Sequence, residues 1–399
     1  MPLSLPVVIG SLGYFVDIFD LFLFGVVRVS SLTALGVPKS AHLDTGVFLL
    51  NMQMIGLLIG GLVWGVLGDK KGRRTILFGS IFLYSVANLL NSQVTSVTAY
   101  GVLRFFAGLG LAGELGAAIT LVSESLSIKN RGYGTTIVAS FGLLGAVAAA
   151  WVGENLSWRT AFIVGGILGL CLLILRMTLA ESKMFQNAKA TNVPRGDLRL
   201  LVGSKKRFLK YLQCIFAGVP IYFVVGILIT FSPEFGEAAG VHGVVAGQAI
   251  LYSYLGAAIG DFLSGMLSQY FKNRRRIVYI SLIGSFVMLS VFLLSQNVGL
   301  TLFYLMCGLM GLMTGYWAVL ITMSAEHFGT NLRATVTTSV PNFVRSAVVP
   351  LTIAFKFLKG PLGLTNSALL LGLAVTILGI VSIHFLGETF GADLDYLET

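Results

Sequence analysis

The feature that most constrains this chain is the recurrence, along its whole length, of apolar runs of about 20 residues with almost no charge in them. A helix rises about 1.5 Å per residue, so such a run crosses the roughly 30 Å hydrocarbon core of a bilayer. Backbone N–H and C=O groups find no water there, so each run must satisfy its own hydrogen bonds as a helix. A β-barrel would instead alternate apolar and polar residues, which these runs do not. Of the 399 residues, 56% are hydrophobic and 11% charged, against about 25% charged in a soluble domain. No water-soluble globule of this size could hide so much apolar surface. The pattern excludes a soluble enzyme, a disordered chain, a nucleic-acid binder and a coiled coil.

Twelve spans are expected, at roughly 5–28, 44–68, 75–93, 98–126, 132–154, 158–180, 208–232, 243–270, 276–295, 299–327, 334–358 and 366–387. The first carries Asp17 and Asp20 and lacks a basic leader and a small-residue cleavage site, so it is read as a span and not a signal peptide. One long basic connector, 181–207, separates a six-span bundle at 1–180 from a second at 208–399. The net charge of +10 sits in short loops. Nineteen of the 27 Lys and Arg residues fall on the side that carries both termini, which is therefore expected to be cytoplasmic. Cys171, Cys214 and Cys307 lie inside apolar runs with no metal or disulfide spacing.

The two halves repeat. Glu124, Arg131, Thr135 and Thr136 return as Glu326, Arg333, Thr337 and Thr338, shifted by 202 positions. Gly65, Leu67 and Asp69, followed by Arg73 and Arg74, have an echo in Gly265, Leu267 and Gln269, followed by Arg274 and Arg275. A duplicated six-helix unit around a midplane cavity is a transporter plan.

The loop after span 2 reads Gly65-Val-Leu67-Gly-Asp69-Lys70-Lys71-Gly72-Arg73-Arg74. Gly65 lets helices approach, Gly72 permits a tight turn, and Asp69 can cap a helix or pair with a cation. This loop resembles the signature of the major facilitator superfamily, as does Trp158-Arg159-x-x-Phe162. The resemblance implies an all-α fold of twelve transmembrane helices in two pseudo-symmetric bundles. Within it, Asp17-Ile-Phe-Asp20 with Gly25, Arg104 with Gly113-Glu114, and Arg333 with Asn342 resemble the metabolite:proton symporter branch, though Ile18, Phe19 and Ala107 depart from its pattern. The half-ends, Glu181-Ser182-Lys183 and Glu388-Thr389, resemble boxes shared with sugar porters, while span 7 lacks their paired glutamines.

A charge at the centre of a membrane helix costs roughly 2.5–3.5 kcal/mol on insertion scales, so buried ionisable residues are functional candidates. Asp17 and Asp20 share one helix face and disfavour double ionisation, which suits a proton carrier. At about 1.5 Å per residue, Asp20 and Arg104 lie at about the same depth, so an ion pair between them is expected. Glu114 lies further inward, with proton coupling and packing against a Ser or Thr both open. Arg345, near mid-depth with Asn342 one turn away, is the expected anchor for a substrate carboxylate. Asp261 could pair with it, and Pro341 is expected to kink span 11. Tyr222 and Trp317 could line the cavity. Asp69, Gly72, Arg73, Arg74, Glu124, Arg131, Glu326 and Arg333 are expected to act as conformational latches.

The expected function is proton-coupled symport of a small carboxylate or zwitterion by alternating access. The alternative is a proton-antiporting exporter of drugs, metabolites or siderophores. The Gly/Ala-rich span 5 has no Gly-Pro pair, which leans against export. A non-transporting sensor is a third class. No nucleotide loop, metal cluster or nucleophile–His arrangement appears, so no enzyme, cofactor or metal is expected. The expected partners are the small-molecule solute, protons and the lipid bilayer, with no nucleic acid. The expected setting is a monomer in a bacterial inner membrane.

Overall fold

The computed structural model describes residues 5–126, 128–176, 198–392 and 396–398; the side chains of Arg73, Arg74, Glu124 and Arg131 lie outside the described set. Most of the expected connector falls outside it too, apart from the short helix Leu198–Val202.

Among the described residues, nine stretches are each long and apolar enough to cross a bilayer. The shorter helix Arg73–Asn91 (span 3), the interrupted span 4, and the second of two spans joined in Val348–Phe385 complete the twelve. Spans 1 and 2 are Leu5–Ala34 and His42–Lys71; spans 5 and 6 are Ile128–Asn155 and Trp158–Arg176. Span 7 runs from Lys205, and spans 8 and 9 are Ala246–Tyr270 and Arg274–Leu294. Span 11 begins with Thr330–Ser346 and continues past Ala347; Gly363, at φ 76°, marks the bend into span 12.

Within the first bundle span 1 packs on span 5, span 3 on span 6 and span 2 on span 4. In the second, span 8 packs on span 10, and spans 7 and 9 on span 12. The bundles meet where span 2 lies along span 11 and span 5 along span 8. Lipid supplies no hydrophobic drive between helices, so close approach must come from small residues. Gly145 is one such place: a Cβ there would collide with the backbone carbonyl of Phe15. The outer surface is apolar, with Trp151, Ile174, Leu294 and Phe357 exposed, as a bilayer requires.

Three features depart from the sequence expectation. Spans 4 and 10 were expected to be continuous, yet both are interrupted. Val97–Leu111 gives way to Glu114–Ser125, and Leu300–Thr314 to Trp317–Glu326. At the second, Gly315 lies against span 8, where a Cβ would press on the backbone at Gly260 and Asp261. Pro341 lies inside the helix Thr330–Ser346, which continues through it. In span 7, Pro220 is followed by a π-helical turn over Val224–Ile229, a widening often found at functional sites.

Both faces of the molecule are closed. At the face where span 1 begins and span 12 ends, here the basal face, Asp69 Oδ2 accepts from Thr335 N (2.8 Å) and Thr335 Oγ1 (2.7 Å). At the opposite, distal face, Gln248 Nε2 donates to Glu154 Oε2 at 2.8 Å, and Arg28 Nη2 lies 3.6 Å from Glu234 Oε1.

Candidate functional site

Between these closures the two bundles meet at a buried ion pair. Asp17 of span 1 and Arg345 of span 11 are fully enclosed, with Oδ2 and Nη2 3.5 Å apart. Arg345 Nε donates to the Tyr222 hydroxyl at 3.1 Å, and Nη1 lies 3.5 Å from Asn342 Oδ1. Its guanidinium carbon stands 5.8 Å from the Trp317 ring centre. Four helices thus converge on one cation: span 1 supplies the charge, span 7 a hydroxyl, span 10 an aromatic face and span 11 an amide. Beside it lies a cavity of about 20 Å³ lined by Tyr14, Leu143, Tyr222, Tyr254 and Trp317. A buried guanidinium with planar donors, flanked by aromatic rings, is suited to a carboxylate on a partly apolar body.

The expected pair of Asp20 and Arg104 does not form. Arg104 instead donates to Gln53 of span 2 and lies over Phe24 (4.8 Å) and Phe162 (5.8 Å). The Asp20 carboxylate faces Gly165 of span 6, and both its oxygens are buried without a hydrogen-bond partner. The depth argument placed the two at one level but could not see their azimuth. Aromatic rings and a glutamine hold the arginine to the other side.

Glu114 also differs from a free proton carrier. Its Oε2 lies 2.5 Å from Arg176 Nη1, and its Oε1 accepts from Ser80 Oγ at 2.7 Å. It thereby ties spans 3, 4 and 6 together, at the start of the resumed half of span 4, where the helix dipole favours an anion. Asp261 does not pair with Arg345. Its Oδ1 accepts from Ala318 N at 2.7 Å and so caps the resumed half of span 10. Asn342 reaches from span 11 to the interruption of span 4, donating to Ala112 O at 2.8 Å.

Of the expected latches, Asp69 clasps the start of span 11, as given above. Gly72 takes φ 105°, which only glycine adopts without strain. Glu326 is held by Arg274 through two bonds of 2.7 and 2.8 Å, and not by Arg333, which donates to the backbone carbonyls of Ala325 and Phe328. Arg73, Arg74, Glu124 and Arg131 lie outside the described side chains.

Sequence reasoning missed Tyr14, Gln53, Ser80, Arg176 and Tyr254. Arg176 carried a usable signal, an arginine inside the apolar run of span 6, from which no role was drawn. The others are uncharged, and nothing in their spacing separates them from packing residues.

The chain matches the sequence profile of the Major Facilitator Superfamily over residues 10–351. It is 28% identical over 320 residues to the 3-(3-hydroxy-phenyl)propionate transporter of Escherichia coli (strain K12), covering 77% of this chain and 76% of that one. It is 25% identical over 390 residues to the sialic acid transporter NanX of the same organism, covering 94% and 92%. Its fold matches that of the proton:xylose symporter XylE bound to 6-bromo-6-deoxy-D-glucose, with a TM-score of 0.76 at 15% identity, covering 98% of this chain and 97% of that chain. The twelve-helix fold, the signature loop and the profile match together place this chain in the major facilitator superfamily of transporters.

Proposed function

We propose that the chain is a secondary active transporter that moves a small organic carboxylate together with a proton by alternating access. It would act as a monomer in a bacterial inner membrane with its basal face in the cytoplasm. The orientation follows the excess of Lys and Arg at that face. The solute class rests on the buried Arg345, on its aromatic surroundings, and on the acids in the names of the two relatives.

The observation that carries the reading is the Asp17–Arg345 pair across the bundle interface. In the closed molecule Asp17 neutralises Arg345. An incoming carboxylate takes Arg345 for itself and strips Asp17 of its partner. A buried charge left unpaired costs several kcal/mol, so Asp17 then takes a proton. The carboxylate stabilises the protonated form of Asp17, and the proton frees Arg345 for the carboxylate. Each ligand therefore favours the other by the same free energy. Asp20, one turn above Asp17 on the same face of span 1, stands where it can receive the proton first. With the ion pair across the interface exchanged for contacts to the solute, the bundles can rock. The clasp at Asp69 releases the basal face, and those at Glu154 and Glu234 the distal face.

The test uses proteoliposomes with labelled 3-(3-hydroxyphenyl)propionate, nicotinate and sialic acid, protein-free vesicles giving the passive diffusion to subtract. An acid-outside gradient should drive accumulation of at least one acid. Asp17→Asn should abolish that accumulation while leaving exchange of the same acid across the membrane. Accumulation by the variant equal to the unaltered protein would refute the coupling. Proton release on adding a cationic drug, with no response to any acid, would mark an exporter.

A further inference from the structure

A second arginine lies on the same side of span 1 as the central site. Asp17, Asp20, Phe24 and Arg28 follow one another at spacings of three and four, so they form one ladder along one helix face. Arg28 stands at its distal end, about 16 Å from Asp17 by helical rise. It is only 5% exposed, and its Nε and Nη1 are buried with no hydrogen-bond partner. Among the described residues its one charged neighbour is Glu234, with Nη2 and Oε1 3.6 Å apart, and Phe231 lies 5.2 Å below the guanidinium carbon. Span 2 is shaped to admit it, since a Cβ on Gly46 would come within 2.8 Å of Arg28 Cδ.

Arg28 borders a small cavity whose other walls include Phe22, Phe24, Met54, Phe231 and Tyr222. Tyr222 also lines the central cavity and accepts from Arg345. The two spaces are therefore neighbours across one tyrosine ring; Arg28 lines the distal one, and Arg345 touches Tyr222 and Trp317 of the central one. A guanidinium that keeps two donors unused inside protein is costly, and a carboxylate is the ligand whose planar pair of oxygens meets such an edge. Glu234 makes only a single long contact and remains partly exposed, so it is a displaceable anion.

We propose that Arg28 forms a second carboxylate site at the distal end of the path to Arg345, which receives an organic acid with an apolar body by displacing Glu234 and passes it by Tyr222. This rests on the carboxylate reading of the central site, which it extends. Closure of the Arg28–Glu234 contact behind the solute would then seal the path.

The test is equilibrium dialysis of labelled 3-(3-hydroxyphenyl)propionate against the full protein in phosphatidylcholine nanodiscs, with empty discs giving lipid partition. A disc has no lumen, so diffusion does not interfere. The unaltered protein should bind two equivalents, one weak. Arg345→Gln should keep the weak one, and the double variant with Arg28→Gln should lose it. Glu234→Gln should tighten the weak site about tenfold by removing the competing carboxylate. A single equivalent abolished by Arg345→Gln would overturn the distal site and leave the central reading standing. The absence of any bound acid in the unaltered protein would end both. Weak binding unaffected by Glu234→Gln or Arg28→Gln would also overturn the proposal.

Discussion

The interruptions of span 4 and span 10 are the same device put to different uses. In each, a half-helix resumes two residues past a break, at Glu114 in the first bundle and at Trp317 in the second. The first resumes with an acid locked to Arg176 and Ser80 of its own bundle, and the second with an aromatic ring over Arg345. Spans 5 and 11 diverge likewise. The repeat of 202 positions aligns Leu143 with Arg345 and Ser140 with Asn342, and Leu143 and Trp317 line one cavity. Among the described residues, Asp17, Asp20, Asp69, Glu114, Arg28, Arg104 and Arg176 are buried in the first bundle, and Asp261, Glu326, Arg274, Arg333 and Arg345 in the second. A duplicated scaffold has thus kept its helix breaks and divided its chemistry, the acid at the centre coming from the first bundle and the arginine it meets from the second.

The largest test of that division removes the anchor. Arg345→Gln should lower carboxylate uptake about a hundredfold, the loss of two hydrogen bonds to a charge, read as initial rate in proteoliposomes. Moving the arginine to the repeat-related position, as Leu143→Arg with Arg345→Leu, should not restore it, because Asn342 and the Tyr222 hydroxyl surround position 345 alone. Restored uptake would mean that the halves are chemically interchangeable. Next, Glu114→Ala should destabilise the protein by about 3–5 kcal/mol by leaving Arg176 buried and unpaired, seen as a lower midpoint of thermal unfolding in detergent. Asp261→Ala leaves uncharged backbone N–H groups, that of Ala318 first, without their acceptor and should cost about 1–3 kcal/mol in the same assay. Equal losses would contradict the contrast between an ion pair and a cap. The smallest effect is expected at His327, in the basal loop between spans 10 and 11, whose imidazole burial holds down at about 4. It stays neutral through ordinary pH, so His327→Gln should leave the pH profile of uptake unchanged between about pH 5.5 and 7.5.

The span count and the duplicated plan were readable because bilayer thickness leaves a direct mark on hydropathy. The pairing of charges was not. Residue depth can be counted along a helix, and that count is what suggested the pairing of Asp20 with Arg104. Which neighbour each faces depends on helix rotation, and there Gln53, Phe24 and Gly165 decide. The interruptions at Gly113 and Gly315 were invisible for a related reason. An apolar run gives no sign of a break whose freed backbone groups are met by another helix, as Asp261 of span 8 meets Ala318 N past Gly315. Arg345 was legible as a candidate because a lone arginine at mid-depth is expensive, but its partner Asp17 lies in the other bundle and no local spacing links them.

The Asp17–Arg345 pair has an electrical corollary. One elementary charge moved across 100 mV is worth about 2.3 kcal/mol. If transport runs by the exchange proposed above, the centre is neutral when Asp17 faces Arg345, and neutral again when a monocarboxylate faces Arg345 beside protonated Asp17. Neither form of the moving core would then feel the membrane voltage. Accumulation of a monocarboxylate would follow the proton concentration ratio alone. It would survive a clamped potential and vanish when the pH difference collapses, whereas a zwitterion carried by the same centre would add a positive charge and draw on the voltage as well.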